Sequence, residues 1–275
     1  MQPLRLASFS TQNKGGNPAG VVIAPQHPSE DEMRKIAADL GYSETVFAHP
    51  QGDAWRVRYF SPESEVPFCG HATVALGAAL ASAQGNGMFK LTLNDTAITV
   101  EGHNQNGQMH AALQSPATHS APAKSGLTDA ALSLLGLQKS DLDPRFIPTF
   151  AGAGATHLIL ALKSRDRLAA MSYDLAAGRD LMRAHGIVTI ALVWVEDNQR
   201  FHVRNAFASG GVIEDPATGA AAAAFAGYLR DIKWPHGGKI TIIQGEDMGA
   251  KSIITAEIPD EKGASIRVSG EVRQI

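Results

Sequence analysis

Two stretches of the chain carry almost no polar positions, and the remaining pattern is arranged around them. At residues 67–80 (PFCGHATVALGAAL) and 215–229 (DPATGAAAAAFAGYL), a short turn-like leader opens an Ala-rich run without a charged side chain. A helix that is apolar all round has to be buried, and at about 13 residues each run falls short of the ~20 needed to cross a bilayer. Superimposing Cys69 on Asp215, an offset of 215 − 69 = 146 residues, aligns the two leaders and their helices. The chain is therefore expected to contain an internal duplication, with one buried central helix in each half.

Period-two alternation predicts strands around them. Leu4, Leu6 and Ser8 alternate with Arg5, Ala7 and Phe9, and Trp55, Val57 and Tyr59 alternate with Arg56 and Arg58, whose charges are expected to be solvated. Further strands are expected at 21–24, 43–47, 88–93, 97–101, 109–113, 157–162, 187–195, 201–206, 240–243, 253–258 and 264–268. Helices are expected at 29–40, 128–135 and 174–185; the first opens on a Ser29/Glu32 capping box, turns Met33, Ile36, Ala37 and Leu40 to one face, and stops at Gly41. Residues 115–125 (SPATHSAPAKS) have no apolar period and two prolines, so they read as a linker. That places the halves at 1–116, with 268–275 packing back on it, and 117–267. The fold class is α+β: two pseudo-symmetric halves, each a mostly antiparallel sheet wrapped around a central helix.

Composition narrows the function. With 44% hydrophobic and 19% charged residues, a net charge of −3 and a pI near 6.4, the chain has no electrostatic footprint for nucleic acid or an acidic membrane. Neither partner is expected. The start MQPLRLASFS has no secretory pattern and the single Cys69 cannot form an intramolecular disulfide, which points to the cytoplasm.

At a helix start the first N–H groups have no intrahelical acceptor and the dipole is positive, so both leaders are candidate anion sites. If the two starts face one cleft, His71 and Asp215 stand beside a bound acid. The alternative is structural: Asp215 caps its helix with Pro216 in the first turn, and His71 is a hydrogen-bonded core residue. Glu44, at the start of SETVF, either looks into the cleft or is a solvated edge-strand residue. The loop KGGNPAG at 14–20 lacks the spacing of a phosphate-binding motif; its glycines serve turns, and Asn17 is a possible substrate contact.

Taken together, GNPAG (16–20), SETVF (43–47), FSPESEVPFCGHAT (60–73), EDPATG (214–219) and QGEDMG (244–249) resemble, in that order, the PhzF-like family of phenazine biosynthesis. The resemblance implies a diaminopimelate epimerase-type fold, a homodimer, and isomerisation without metal or organic cofactor, as in trans-2,3-dihydro-3-hydroxyanthranilate isomerase. It implies Glu44 as the proton-transfer residue, with His71 and Asp215 as its catalytic partners. The helix starts at Gly70 to Ala72 and at Thr218, Gly219 and Ala220 would hold a small carboxylate. Two positions depart from the family pattern. Ala220 stands where a Ser hydroxyl is usual, and Ala250 and Lys251 replace the usual Arg-Pro, so a different substrate is implied. Two alternatives remain open: a racemase or epimerase of the same fold, for which a two-thiol mechanism is excluded by the single Cys69, and a non-catalytic small-molecule-binding protein.

Overall fold

The computed structural model describes residues 2–275. Strands β1 (Leu4–Ser10) and β2 (Asn17–Ile23) precede helix α1 (Glu30–Leu40); β3 (Glu44–Gln51), β4 (Ala54–Phe60) and the two-residue β5 (Glu65–Val66) lead into α2 (Gly70–Gln84). Then come β6 (Gly87–Thr92), β7 (Ala97–Gln105), β8 (Gln108–Gln114), β9 (His119–Pro122), α3 (Ser125–Leu134), β10 (Thr149–Gly152) and β11 (Thr156–Leu162). Helices α4 (Arg165–Ala169) and α5 (Leu175–Ala184), strands β12 (Thr189–Val195), β13 (Arg200–Ala206) and β14 (Glu214–Asp215), and helix α6 (Gly219–Asp231) follow. Strands β15 (Lys239–Gln244), β16 (Ser252–Glu257) and β17 (Arg267–Gln274) complete the order.

The chain divides into two compact units, one of Met1–Gln114 with Arg267–Ile275 and one of Ser115–Ile266. In the first unit, β1 pairs with β2, β2 with β3, β3 with β4, β4 with β6, β6 with β7, β7 with β8, β8 with β17 and β17 with β1. Each strand of this ring has two neighbours, so the barrel closes and leaves no edge. Helix α2 is buried from Gly70 to Ala81, with Val74, Leu76 and Leu80 at 0% exposure. Each such aliphatic side chain contributes about 1.5–3 kcal/mol by leaving water. The packing is close: a Cβ on Gly102 of β7 would lie 2.0 Å from the Gly77 carbonyl oxygen of α2, which only glycine avoids.

The second unit repeats this wiring. The antiparallel β1–β2, parallel β2–β3, antiparallel β3–β4, parallel β4–β6 and antiparallel β6–β7 pairs match β10–β11, β11–β12, β12–β13, β13–β15 and β15–β16 in direction. Helix α6 is the counterpart of α2 and is buried along Ala221–Arg230. The mixed α+β architecture and the duplication are thus present in the hydrogen-bond pattern itself.

Three expectations are corrected. Residues 115–125 are not merely a linker, because residues 119–122 form β9 and pair antiparallel with β10. Its side chains are mostly exposed, so no apolar alternation betrays it, and Pro122 ends it where a missing donor does least harm. The strand expected at 264–268 begins only at Arg267, since Ile266 and Ser115 are tied instead by backbone and hydroxyl hydrogen bonds. Arg56 and Arg58 are also less solvated than expected. Arg58 donates to Glu65 and Glu30, and Arg56 to the Val57 and Thr92 carbonyls.

Candidate active site

In the first unit the leader of α2 is fixed by its own side chains. Thr73 Oγ1 donates to the Cys69 carbonyl at 2.7 Å and meets the buried Tyr59 hydroxyl at 2.7 Å, while Ser8 of β1 donates to the His71 carbonyl at 2.7 Å. Cys69 is the N-cap and makes no side-chain cap bond. These contacts hold the His71 ring in the interior at 5% exposure.

Three elements converge on that ring. Asn17, the first residue of β2, places its amide nitrogen 3.2 Å from Nδ1. With Asn17 donating there, the neutral ring carries its proton on Nε2. Glu44, the first residue of β3, puts Oε2 3.5 Å from Nε2, and the Ser43 hydroxyl lies 3.4 Å from the same nitrogen. Cys69 Sγ is 3.4 Å from Nδ1 and 3.9 Å from Nε2. Glu44 is therefore not a solvated edge residue. Strand β3 is paired on both sides, parallel to β2 and antiparallel to β4, and Glu44 is 9% exposed. Asn17 is 2% exposed and stands against His71.

In the second unit Asp215 does not cap α6. It lies in β14, paired with Asn205 of β13, and the N-cap is Thr218. The Thr218 hydroxyl donates to Asp215 Oδ2, so the carboxylate is turned toward the helix start. Gly219 and Ala220 open the helix; Gly219 is buried and Ala220 half-buried. Gly70 and Ala72 occupy the buried first turn of α2.

Sequence reasoning missed Gln244, which is 1% exposed. Its Nε2 donates to the Asp215 carbonyl at 2.7 Å and to Thr218 Oγ1 at 3.0 Å, and its Oε1 accepts from the Thr218 amide at 3.2 Å. One side chain thus fixes the path from Asp215 to the helix. Its place in QGEDMG was the available signal, but nothing local says that the amide reaches back to residues 215–218. Gln244→Leu strands these partners, and stability should fall by about 1–3 kcal/mol in urea unfolding. A change within about 0.5 kcal/mol would show that the amide holds nothing.

The same unit buries a second polar group. His157 is 0% exposed; its Nδ1 donates to Thr189 Oγ1 at 2.7 Å, since the Thr189 hydroxyl in turn donates to Asn205 Oδ1 at 2.8 Å. His157 Nε2 makes no hydrogen bond, and burial lowers the ring's pKa from 6.5 to about 4. The unfolded ring takes up a proton as pH falls through 6.5, whereas the folded ring stays neutral until about 4. The stabilisation from a neutral His157 is therefore complete above pH 6.5 and is lost progressively from there to about 4, amounting to roughly 3 kcal/mol. Urea midpoints measured across this window should fall more steeply for the wild type than for His157→Gln; parallel curves would contradict the assignment.

The geometry can be set beside known proteins. Residues 6–273 match the family described as phenazine biosynthesis-like protein. A protein of Escherichia coli K12 named uncharacterized isomerase YddE is 30% identical over 282 residues, covering 98% of this chain and 94% of its own. The crystal structure of a Bacillus anthracis phenazine biosynthesis protein of the PhzF family superimposes with a TM-score of 0.86 at 23% identity, covering 100% of this chain and 98% of that one. A probable proline racemase from Agrobacterium radiobacter K84 shares the fold at a TM-score of 0.69 and 10% identity, covering 99% of this chain and 90% of that one. With the repeated strand pattern and the buried Glu44–His71 pair already in place, a match across nearly its whole length means that the chain belongs to the phenazine biosynthesis-like (PhzC-PhzF) family of isomerase-type enzymes.

Proposed function

We propose that this protein is a proton-transferring isomerase of a small carboxylate, with Glu44 moving the proton. The observation that carries the proposal is the company Glu44 keeps. Its carboxylate is buried beside His71 at 3.5 Å, a partner that can itself give and take a proton. The buried Glu214, by contrast, is held by Arg204, which cannot. A carboxylate committed to structure suits the second arrangement; one that works as acid and base suits the first.

In the proposed reaction Glu44 Oε2 takes a proton from a carbon next to a double bond, the electron pair shifts along the unsaturated system, and the same carboxyl returns the proton to another carbon. Atoms and electrons balance without an oxidant or carrier, so the proposal includes no metal or organic cofactor. The Asn17 contact directs the His71 Nε2–H toward Glu44, and His71 and Asp215 serve to orient the substrate and stabilise developing charge. The N–H groups that open α2 and α6 suit a substrate carboxylate. Ala220 offers such a backbone donor but no hydroxyl, which favours a substrate other than the dihydro-hydroxyanthranilate of phenazine synthesis. A cytoplasmic homodimer is part of the same proposal; no helix among the described residues is long and apolar enough to cross a membrane.

Deuterium uptake tests the reading. Small cyclic amino-hydroxy acids incubated with the protein in deuterated water should acquire deuterium at carbon. Binding without exchange, across such a panel, would favour a non-catalytic binding protein instead.

A further inference from the structure

Cys69 takes no part in the proposed proton transfer, yet its sulfur lies beside Glu44, which moves the proton, and His71, which stands against it. One ligand atom each from Glu44, Cys69 and His71 falls within 4.8 Å of the other two, and all three residues are buried. We propose that these three side chains form an inhibitory site for a thiophilic divalent cation, zinc(II) above all. Binding stands on the cluster itself; the inhibitory consequence rests on the function proposed for Glu44.

The distances suit the ion. Zinc bonds of about 2.0–2.3 Å in a tetrahedron put neighbouring ligand atoms roughly 3.4–3.6 Å apart. Glu44 Oε2 is already 3.5 Å from His71 Nε2, and Cys69 Sγ, at 3.9 Å from that nitrogen and within 4.8 Å of the carboxylate, has to draw closer to both to complete the set. The imidazole must offer Nε2 as a lone pair and keep its proton on Nδ1. A turn of the Asn17 amide supplies this, since its oxygen would then accept from Nδ1–H, the outer-shell contact that zinc-bound histidines use. The thiol gives up its proton to solvent as it binds, so uptake weakens as pH falls.

One sulfur, one nitrogen and one oxygen make a borderline-soft set that discriminates against magnesium and calcium, which prefer all-oxygen shells. Three protein ligands leave the fourth position to water, an open arrangement that a chelator can reverse. With zinc on its oxygen, Glu44 cannot accept a proton from carbon, and exchange stops.

Because Cys69 is the only cysteine in the chain, a spectrum identifies the site. Cobalt(II) added to the full-length protein as a zinc surrogate should give a near-ultraviolet thiolate-to-cobalt charge-transfer band at one equivalent, and zinc should abolish it by displacement. Cys69→Ala and Cys69→Ser should lose the band and weaken zinc binding at least about tenfold, the least that even an outer-shell partner contributes. Both should keep the basal exchange activity, because the Cys69 thiol does not cap α2. Zinc should inhibit wild-type exchange, reversibly by chelator, and leave the Cys69→Ala enzyme active. Absence of the cobalt band, or equal zinc affinity in wild type and both variants, overturns the site. A band that appears in a protein without exchange activity establishes the cation site while removing the proposed isomerase, so the two failures read differently.

Discussion

Glu44→Gln is expected to lower carbon-to-solvent proton exchange by about 10²–10⁴-fold, the usual contribution of a positioned acid–base group, while the affinity for the same carboxylate stays nearly unchanged. The amide has the shape of the carboxyl and fits the same place at the start of β3, but it cannot take a proton from carbon. Loss of rate at retained affinity is therefore the signature. His71→Ala and Asp215→Asn should differ, weakening binding as well as slowing turnover, because both are assigned to orientation. Deuterium incorporation followed by NMR, together with calorimetric affinities, separates these outcomes. A tenfold or smaller loss of exchange in Glu44→Gln would reduce Glu44 to a binding or structural residue.

Glu214→Ala should destabilise the protein by about 3–5 kcal/mol, the largest stability loss anticipated for a single polar change here. Arg204 Nε lies 3.0 and 3.1 Å from the two Glu214 oxygens, with side-chain exposures of 11% and 4%. The guanidinium also donates to the Ala169 carbonyl at the end of α4 and the Met171 carbonyl just past it, so it is anchored and cannot swing into water when its carboxylate disappears. The charge then faces only the more distant Asp247, whose Oδ2 lies 4.0 Å from Arg204 Nε, and is left largely uncompensated. Replacing both partners, as in Arg204→Met with Glu214→Leu, removes the charge along with the pair and should recover much of the loss. Urea unfolding of the wild type and the two variants is the measurement, and a single variant no less stable than the double would refute the buried-charge account.

What the sequence discloses depends on how local the cause is. The central helices are legible because their patterns admit no solvent face, and α1 because Ser29, Glu32 and Gly41 mark its two ends with short-range contacts. The repeat is legible because both leaders precede the same kind of helix. Glu44 is different. Within SETVF its position is that of a polar residue at a strand end, and its burial follows only from pairing with β2 on one side and β4 on the other. Asp215 likewise has the look of a cap, yet the polypeptide runs three residues further before Thr218 takes that place. Gln244 and β9 lie beyond sequence reasoning for the same reason: the first acts across 26 residues on Thr218, and the second is a strand by virtue of β10. The family motifs draw attention to Glu44, His71 and Asp215 together, whereas only coordinates bring Asn17, Ser43 and Cys69 to the same imidazole.

The ring of the first unit has a consequence for the birth of the protein. Seven of its eight strands are synthesised by Gln114, but the eighth, β17, leaves the ribosome only after the whole second unit. Until then β1 and β8 each expose an unpaired side, the kind of edge along which chains aggregate. The second unit, complete at Ile266, has all its own strands while the earlier one still waits. Order of folding thus runs against order of synthesis: the half that bears Glu44 and His71 closes last, its nascent edges in need of shelter, and its closure is slowed by the entropy of bringing together residues more than 150 positions apart.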